Sequence, residues 1–457
     1  MANHGLIVGL DVGTNTVKVL AADVRDQQAN IVAVGRAVAH GVRKGVVVDI
    51  EATANDIRQV IAQVNEQTQT PVSEVVALIP AKEVQINVIS GQVSVQDSQH
   101  IAYTDVQAVV KEALKGQVAA DREVVDLVPN AFAVDDFEGV QDPNDMVGMR
   151  LKLTATAYTT PKNVLTNLRL AIEKAGLHLR DFVLAPLAAS KTVLSDAEQE
   201  FGSILLDMGA GQTTATVVQN HQLRFISTFP AGGENISRDI STVLSIGDYD
   251  ADMLKLDSGL ALVKKANPAN LLVIQPVGKE EAEQIAEPYL TEIIAARVDQ
   301  ILEKIGTQLQ AVSAFDMPGG ITLIGGTAAL RGIDEAVSET YQVPTHQFAP
   351  DDIGLHHPGM AGAWAAVHYA ALQTPVELIV KQALYGLPLH FIGQPLIAAS
   401  AKRNPAKQQA ALTKPVSKPV EVPEVAETTN DIINKPTHQQ AKQGFSRIKR
   451  FFREFFD

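Results

Sequence analysis

Short apolar runs and longer periodic stretches alternate along most of this chain. Residues 6–10, 75–79, 203–206 and 321–324 are runs rich in Val, Ile and Leu, with the length and composition of buried strands. Between them, residues 52–66, 105–114, 162–175 and 282–305 carry apolar positions at helical spacing. Strands alternating with helices predict an α/β architecture, extending from the start of the chain to about residue 395.

The pattern then stops. Residues 401–443 hold five Pro, no aromatic residue and scattered Lys and Glu. Such a segment buries too little apolar surface to offset its ordering entropy, and it reads as a flexible linker. The last fourteen residues are different again, GFSRIKRFFREFFD, and hold five of the fourteen Phe in the chain. On a helix, Phe445, Ile448, Phe451, Phe452, Phe455 and Phe456 fall within about 140° of arc. Arg447, Lys449, Arg450 and Arg453 take the other side. Phe opposite basic residues is the pattern of a helix lying in a membrane interface. A protein groove would accept the same helix. The segregation of the two faces argues against single-stranded nucleic acid, where aromatic and basic groups interleave.

Length and composition narrow the functional classes. A chain of 457 residues has material for about three compact units. With no Cys, it has no disulfide framework, thiolate metal site or Cys nucleophile. The first residues lack the basic start and apolar run of a signal peptide, and no stretch reaches the ~20 apolar residues of a spanning helix. The net charge is −14, but residues 401–457 carry eleven Lys or Arg against six Asp or Glu, a balance of +5. The other 400 residues therefore carry −14 − 5 = −19. An acidic body repels nucleic acid and anionic lipid, while its short basic tail is attracted to such surfaces.

Two segments repeat one design. The first is Ile7-Val-Gly-Leu-Asp11-Val-Gly13-Thr14-Asn15-Thr-Val-Lys18, and the second is Ile204-Leu-Leu-Asp207-Met-Gly209-Ala-Gly211-Gln212-Thr213. Each is an apolar strand, an Asp-x-Gly, a small polar turn and a second strand. Gly lets backbone N–H groups close on an anion, and small hydroxyl residues add donors. Asp11 and Asp207 stand where they would hold Mg²⁺ through water. Lys18 is in reach of a β- or γ-phosphate. One such motif alone reads more readily as a tight hairpin turn; two matched copies favour phosphate binding. Gly325-Gly326, followed by Ala328, ends a strand; alone it reads first as an ordinary tight βα turn, and beside the hairpins it would let a base or ribose lie against backbone. Gly232-Gly233-Glu234 opens a helix suited to a ribose or phosphate contact. Asp252 and Lys255 share a helix face, either towards one ligand or as a solvated ion pair.

In this order the motifs resemble the actin-like ATPase superfamily, and within it the FtsA family of bacterial cell-division proteins. The connecting helices match at Leu184-Ala-Pro186-Leu-Ala188 and at Pro358-Gly-Met-Ala-Gly362. Family-specific features are Gly41-Val-Arg-Lys-Gly45-Val-Val-Val-Asp49, the segment Asp142-Pro143-Asn-Asp-Met146-Val-Gly148-Met-Arg150-Leu151, and the tail. The resemblance implies a duplicated, ribonuclease H-like two-domain core that binds ATP and Mg²⁺. Subdomain 1A would comprise residues 1–82, 163–198 and 367–400, with the inserted 1C at 83–162. Subdomain 2A would comprise 199–242 and 315–366, with 2B at 243–314. The linker 401–443 and the amphipathic helix 444–457 follow. It further implies actin-like filaments, binding of the C-terminal peptide of the tubulin-like protein FtsZ on 2B, and a place on the cytoplasmic face of the membrane at the division septum.

Departures from the family pattern carry expectations of their own. Asp145 stands where the pattern often has Gly, which predicts a different turn. Ser237 and Asp252 replace Thr and Glu and keep the chemistry. Ala185 stands where several superfamily ATPases have a water-orienting Glu, so hydrolysis is expected to be slow unless Gln212 takes that role. Glu283, Arg297, Glu303 and Lys304 on the 282–305 helix are candidates for the partner surface by position; a solvated helix face explains each equally well. Two other functions fit parts of the pattern. A small-metabolite kinase needs an Asp general base, and none stands out. A chaperone-like ATPase needs a peptide-binding β-domain where the linker lies.

Overall fold

A computed structural model describes residues 5–385. Its first strands, β1 (Gly5–Val12), β2 (Thr16–Arg25) and β3 (Gln28–Val38), form an antiparallel meander. A small hairpin follows, β4 (Val42–Arg43) and β5 (Val46–Val47). Helix α1 (Ile50–Thr68) starts where the Asp49 carboxylate accepts the Ala52 N–H, and it stops at Gln69 in the left-handed region. It leads to β6 (Glu74–Ile79), parallel to β1.

The chain then leaves to build a separate four-stranded antiparallel sheet from β7 (Gln85–Ser94), β8 (Arg122–Val134), β9 (Phe137–Val140) and β10 (Arg150–Pro161). The order is β7-β10-β8-β9, and α2 (Tyr103–Leu114) packs on it through Val106, Val109 and Val110. Asp145 in this insert adopts φ +65, the left-handed region that Gly enters readily. Its carboxylate meets Asn144 and His100, contacts Gly cannot make. Such local hydrogen bonding is what makes Asp one of the few L-residues to visit this region.

Helix α3 (Lys162–Lys174) and β11 (His178–Leu184) complete the first core sheet, of order β11-β6-β1-β2-β3. Helices α4 (Ala185–Thr192) and α5 (Asp196–Phe201) lead to the second half. There β12 (Ser203–Met208), β13 (Thr213–Gln219) and β14 (Gln222–Phe229) repeat the meander. After α6 (Gly233–Leu244) and α7 (Asp248–Ser258) come β15 (Leu271–Ile274), β16 (Glu283–Ala286) and α8 (Glu287–Ala311). Then β17 (Ile321–Ile324), α9 (Ile333–Tyr341) and β18 (Thr345–Gln347) finish a sheet of order β14-β13-β12-β17-β18. Each core sheet is thus a three-stranded meander continued by two parallel strands.

The helix expected over 282–305 differs in its limits. Residues 283–286 pair with β15, and the helix begins at Glu287-Pro288 and runs on to Ala311. Proline, with no N–H to donate, fits the first turn and sets the start.

Helix α10 (Ala361–Leu372) returns to the first sheet, so close to β1 that a Cβ on Gly9 would lie 2.8 Å from Val367. Helix α11 (Pro375–Tyr385) adds Val376, Ile379 and Val380 to the apolar core of the insert. The linker 401–443 and the tail 444–457 lie outside the described residues.

Candidate functional site

Both Asp-x-Gly motifs fold as expected of strand-turn-strand hairpins, and with one geometry. Gly13 N–H donates to Thr16 O at 3.0 Å, and Gly209 N–H donates to Gln212 O at 3.0 Å. Asp11 lies opposite Lys18 across the first hairpin, and Asp207 lies opposite Thr214 across the second. The two hairpins meet. A Cβ on Gly211 would stand 2.4 Å from Thr14 Oγ1, so only glycine lets the second turn approach the first.

The two carboxylates have unlike surroundings. Asp11 pairs with Lys18 at 2.9 Å, so this ammonium already spends one donor on a carboxylate. Asp207 makes no such pair among the described residues. Burial, reinforced by the charge of Asp11 and opposed by Lys18, pushes its pKa up to about 6. Gly325, at φ +93, allows close approach here: a Cβ would come 2.4 Å from Asp207 Oδ1. A desolvated carboxylate beside a second one is an arrangement that a cation relieves. Among the described residues no group of three or more His, Asp or Glu forms a metal cluster. Two carboxylates still fit Mg²⁺, which keeps several waters and takes its other oxygens from phosphate.

The remaining candidates fall into three positions. Gly326 is exposed, with open space where a side chain would be, whereas Ala328 is fully buried beneath the turn. Gly232 and Gly233 pack the start of α6 onto the second hairpin, with Gly233 N–H donating to Gly209 O and Glu234 N–H to Ala210 O. The Thr213 hydroxyl donates inward to Ala231 O. Lys255 is buried and donates to Gly233 O, Ser237 Oγ and Asp252 Oδ1 at 3.1, 2.6 and 2.6 Å. Asp252 and Lys255 thus form an ion pair, with the ammonium buried rather than solvated, and it braces α7 against α6.

Between the hairpin turns and α6 opens a cavity of about 400 Å³. Thr14, Asn15, Gly211 and Glu234, candidates from the sequence, line it. So do Arg43, Lys44, Asn235 and Arg238, to which the sequence motifs assign no site role. Arg238 pairs with Glu234 at 2.8 Å. The signal for Arg43 and Lys44 was the Gly41–Asp49 segment itself, two cations between glycines.

The expected partner surface needs one correction. Arg297 is 5% exposed and holds Asp239 through two hydrogen bonds of 2.6 and 2.9 Å, inside the protein. Glu303 and Lys304 are exposed on α8, and Glu283 is exposed on β16 and pairs with Lys279. Phe445, Arg447, Ile448, Lys449, Arg450, Phe451, Phe452, Arg453, Phe455 and Phe456 lie outside the described residues. No helix among the described residues is long and apolar enough to cross a membrane.

Comparison with known proteins agrees with this architecture. A family model described as cell division protein FtsA matches residues 204–365, and one described as the SHS2 domain inserted in FTSA matches residues 81–159. The chain is 38% identical over 387 residues to cell division protein FtsA of Streptococcus pneumoniae serotype 2, covering 84% of each. It is 37% identical to that of Enterococcus faecalis (84% of this chain, 88% of the relative) and 31% identical to that of Bacillus subtilis (82% and 86%). Among solved structures, one titled PilM-PilN type IV pilus biogenesis complex superposes with a TM-score of 0.55 at 15% identity. It covers 80% of this chain and 99% of that one, a likeness of fold alone. Paired hairpin sheets, an inserted antiparallel sheet and relatives matched over most of their length lead to one assignment: the chain belongs to the FtsA family of cell-division proteins, with an actin-like fold.

Proposed function

We propose that this protein is an ATP-binding, filament-forming adaptor that ties FtsZ filaments to the inner face of the membrane at the division site. The observation that carries the reading is the meeting of the two Asp-x-Gly hairpins, Gly211 against Thr14, at a cavity that also receives Arg43 and Lys44. Backbone N–H groups of the turns, Thr14 and Lys18 would surround a triphosphate. Asp11 and Asp207 would hold Mg²⁺, which when bound supplies charge neutralisation at the phosphates. The open backbone at Gly326 would accept the ribose or base.

Ala185 opens α4 with a side chain that neither accepts a proton nor orients water, so nucleotide acts as a conformational ligand and turns over slowly. Binding of a fluorescent ATP analogue with Mg²⁺ tests the site: Asp207→Ala is expected to abolish it, and undiminished binding would refute the reading. In single-turnover measurements, a fast rate abolished by Asp207→Ala would instead show an efficient ATPase.

The adaptor role rests on the tail and on 2B, the segment 243–314. A helix with six apolar and four cationic positions binds lipid modestly as a monomer, at roughly 1.5–3 kcal/mol for a fully buried Phe and about 1 kcal/mol per cation near anionic lipid. Filament formation would array many such helices and raise avidity without new contacts. Co-sedimentation of FtsZ with liposomes should require this protein together with its residues 444–457.

A further inference from the structure

We propose that the β4–β5 hairpin is a third phosphate-recognising element, in which Arg43 and Lys44 select a nucleoside triphosphate over a diphosphate. The proposal rests on the nucleotide reading above and adds what distinguishes the terminal phosphate.

The turn of this hairpin is built for position. Lys44 and Gly45 adopt φ +47 and +73 in succession, a two-residue turn in which Asn-Gly is the favoured pair. Lysine is an unfavourable choice at a left-handed position, and a residue held there against its preference invites a functional explanation. Gly45 N–H donates to Thr14 Oγ1 at 3.0 Å, which ties the turn to the first hairpin. A Cβ on Gly45 would lie 3.1 Å from Gln212 Oε1, so the turn also touches the second. The small hairpin therefore spans the seam between the two halves.

Its base is fixed. The Gly41 carbonyl accepts the N–H groups of Val48 and Asp49, and Asn167 donates to Val47 O. The buried Asp56 carboxylate takes both the backbone N–H and the ring Nδ1 of His40, at 2.7 and 2.8 Å. The tip offers two cations to the cavity. Arg43 and Lys44 are exposed and line it with Thr14 and Gly211, and their side chains make no hydrogen bond or ion pair among the described residues. Arg238, the third cation, is already paired with Glu234.

Phosphates cradled by the hairpin turns would present their outermost group towards this seam. A planar guanidinium and a point-charge ammonium suit a terminal phosphate, which carries the most charge and the most free oxygens. A diphosphate would leave them solvated and gain little from them.

The test is equilibrium titration of the full chain with fluorescent ATP and ADP analogues in the presence of Mg²⁺. The Arg43→Ala/Lys44→Ala variant should lose ~10-fold or more in ATP affinity while ADP affinity changes much less. Lys111→Ala/Lys174→Ala, which removes the same charge from exposed helix positions, should leave the ATP-to-ADP ratio unaltered. Lys44→Gly separates folding from recognition: it relieves the turn, so the protein should melt at a higher temperature while its preference for ATP falls. Equal weakening of ATP and ADP, or an unaltered ratio in the double variant, overturns the proposal alone. Failure of the unaltered protein to bind either nucleotide ends the nucleotide reading and this proposal with it.

Discussion

Lys381 shows how much chemistry one buried side chain can gather. It reaches Asp181 on β11 at 2.6 Å and Asp126 on β8 at 3.5 Å. Asp126 Oδ2 and Asp181 Oδ1 are buried without a hydrogen-bond partner among the described residues. Two carboxylates thus share one ammonium. Burial, with Asp181 reinforcing it and Lys381 opposing it, pushes the Asp126 pKa up to about 6. The unfolded chain releases that proton near pH 4. Between those values the folded state binds more protons, so this group's contribution to stability falls as pH rises. Asp126→Asn removes that dependence. Its unfolding free energy relative to wild type should improve from pH 4 to 6, by up to about 1.4 kcal/mol per unit. Urea denaturation at several pH values measures this, and a constant difference would contradict the assignment. Arg297→Ala, by contrast, strands Asp239 in the interior and should cost about 3–5 kcal/mol. Sequence could not separate these residues from solvated ones. Helical spacing gives a face, but Asp239 lies 58 residues from Arg297 and Asp181 lies 200 from Lys381.

Elements were more legible. The Asp-x-Gly hairpins, β6 and β17 could be read because a short Val/Ile/Leu run bounded by Gly or Pro has few other uses. The start of α8 was misread because apolar residues 285–286 continue the helical spacing, and only Pro288 marks the boundary. The glycines of the site had been assigned to anion approach, yet several serve packing between elements. Gly232 is the clearest: a Cβ there would sit 2.2 Å from Gly209 O and 2.7 Å from Ala210 O. Gly232→Ala must push α6 off the second hairpin. Thermal melting should drop, and ATP affinity should fall at least ~10-fold, on the scale of 1.4 kcal/mol. A variant with wild-type affinity would show that α6 has no part in the site. The small β4–β5 hairpin was legible only as a signature: nothing in its composition says that it lies across from Gln212, 167 positions after Gly45.

At the scale of the whole molecule, the duplication announced itself in sequence as two motifs 196 residues apart, and it folds as two sheets of matching order. The acidic body and basic tail suggest a protein whose lipid attachment is local and electrostatically aided. Phe452→Asp/Phe456→Asp should release it from anionic liposomes, and raised salt should weaken the wild type. Co-sedimentation unchanged by both treatments would contradict the anchor.

The placement of α11 bears on what such an anchor would transmit. Its apolar face belongs to the insert's core, its lysine is locked to β11 of the first sheet, and the polypeptide continues from its end towards the tail. Tension applied beyond Tyr385 therefore loads the joint between insert and first sheet before anything else. The second half, with α7 and α8, stands outside that line of force.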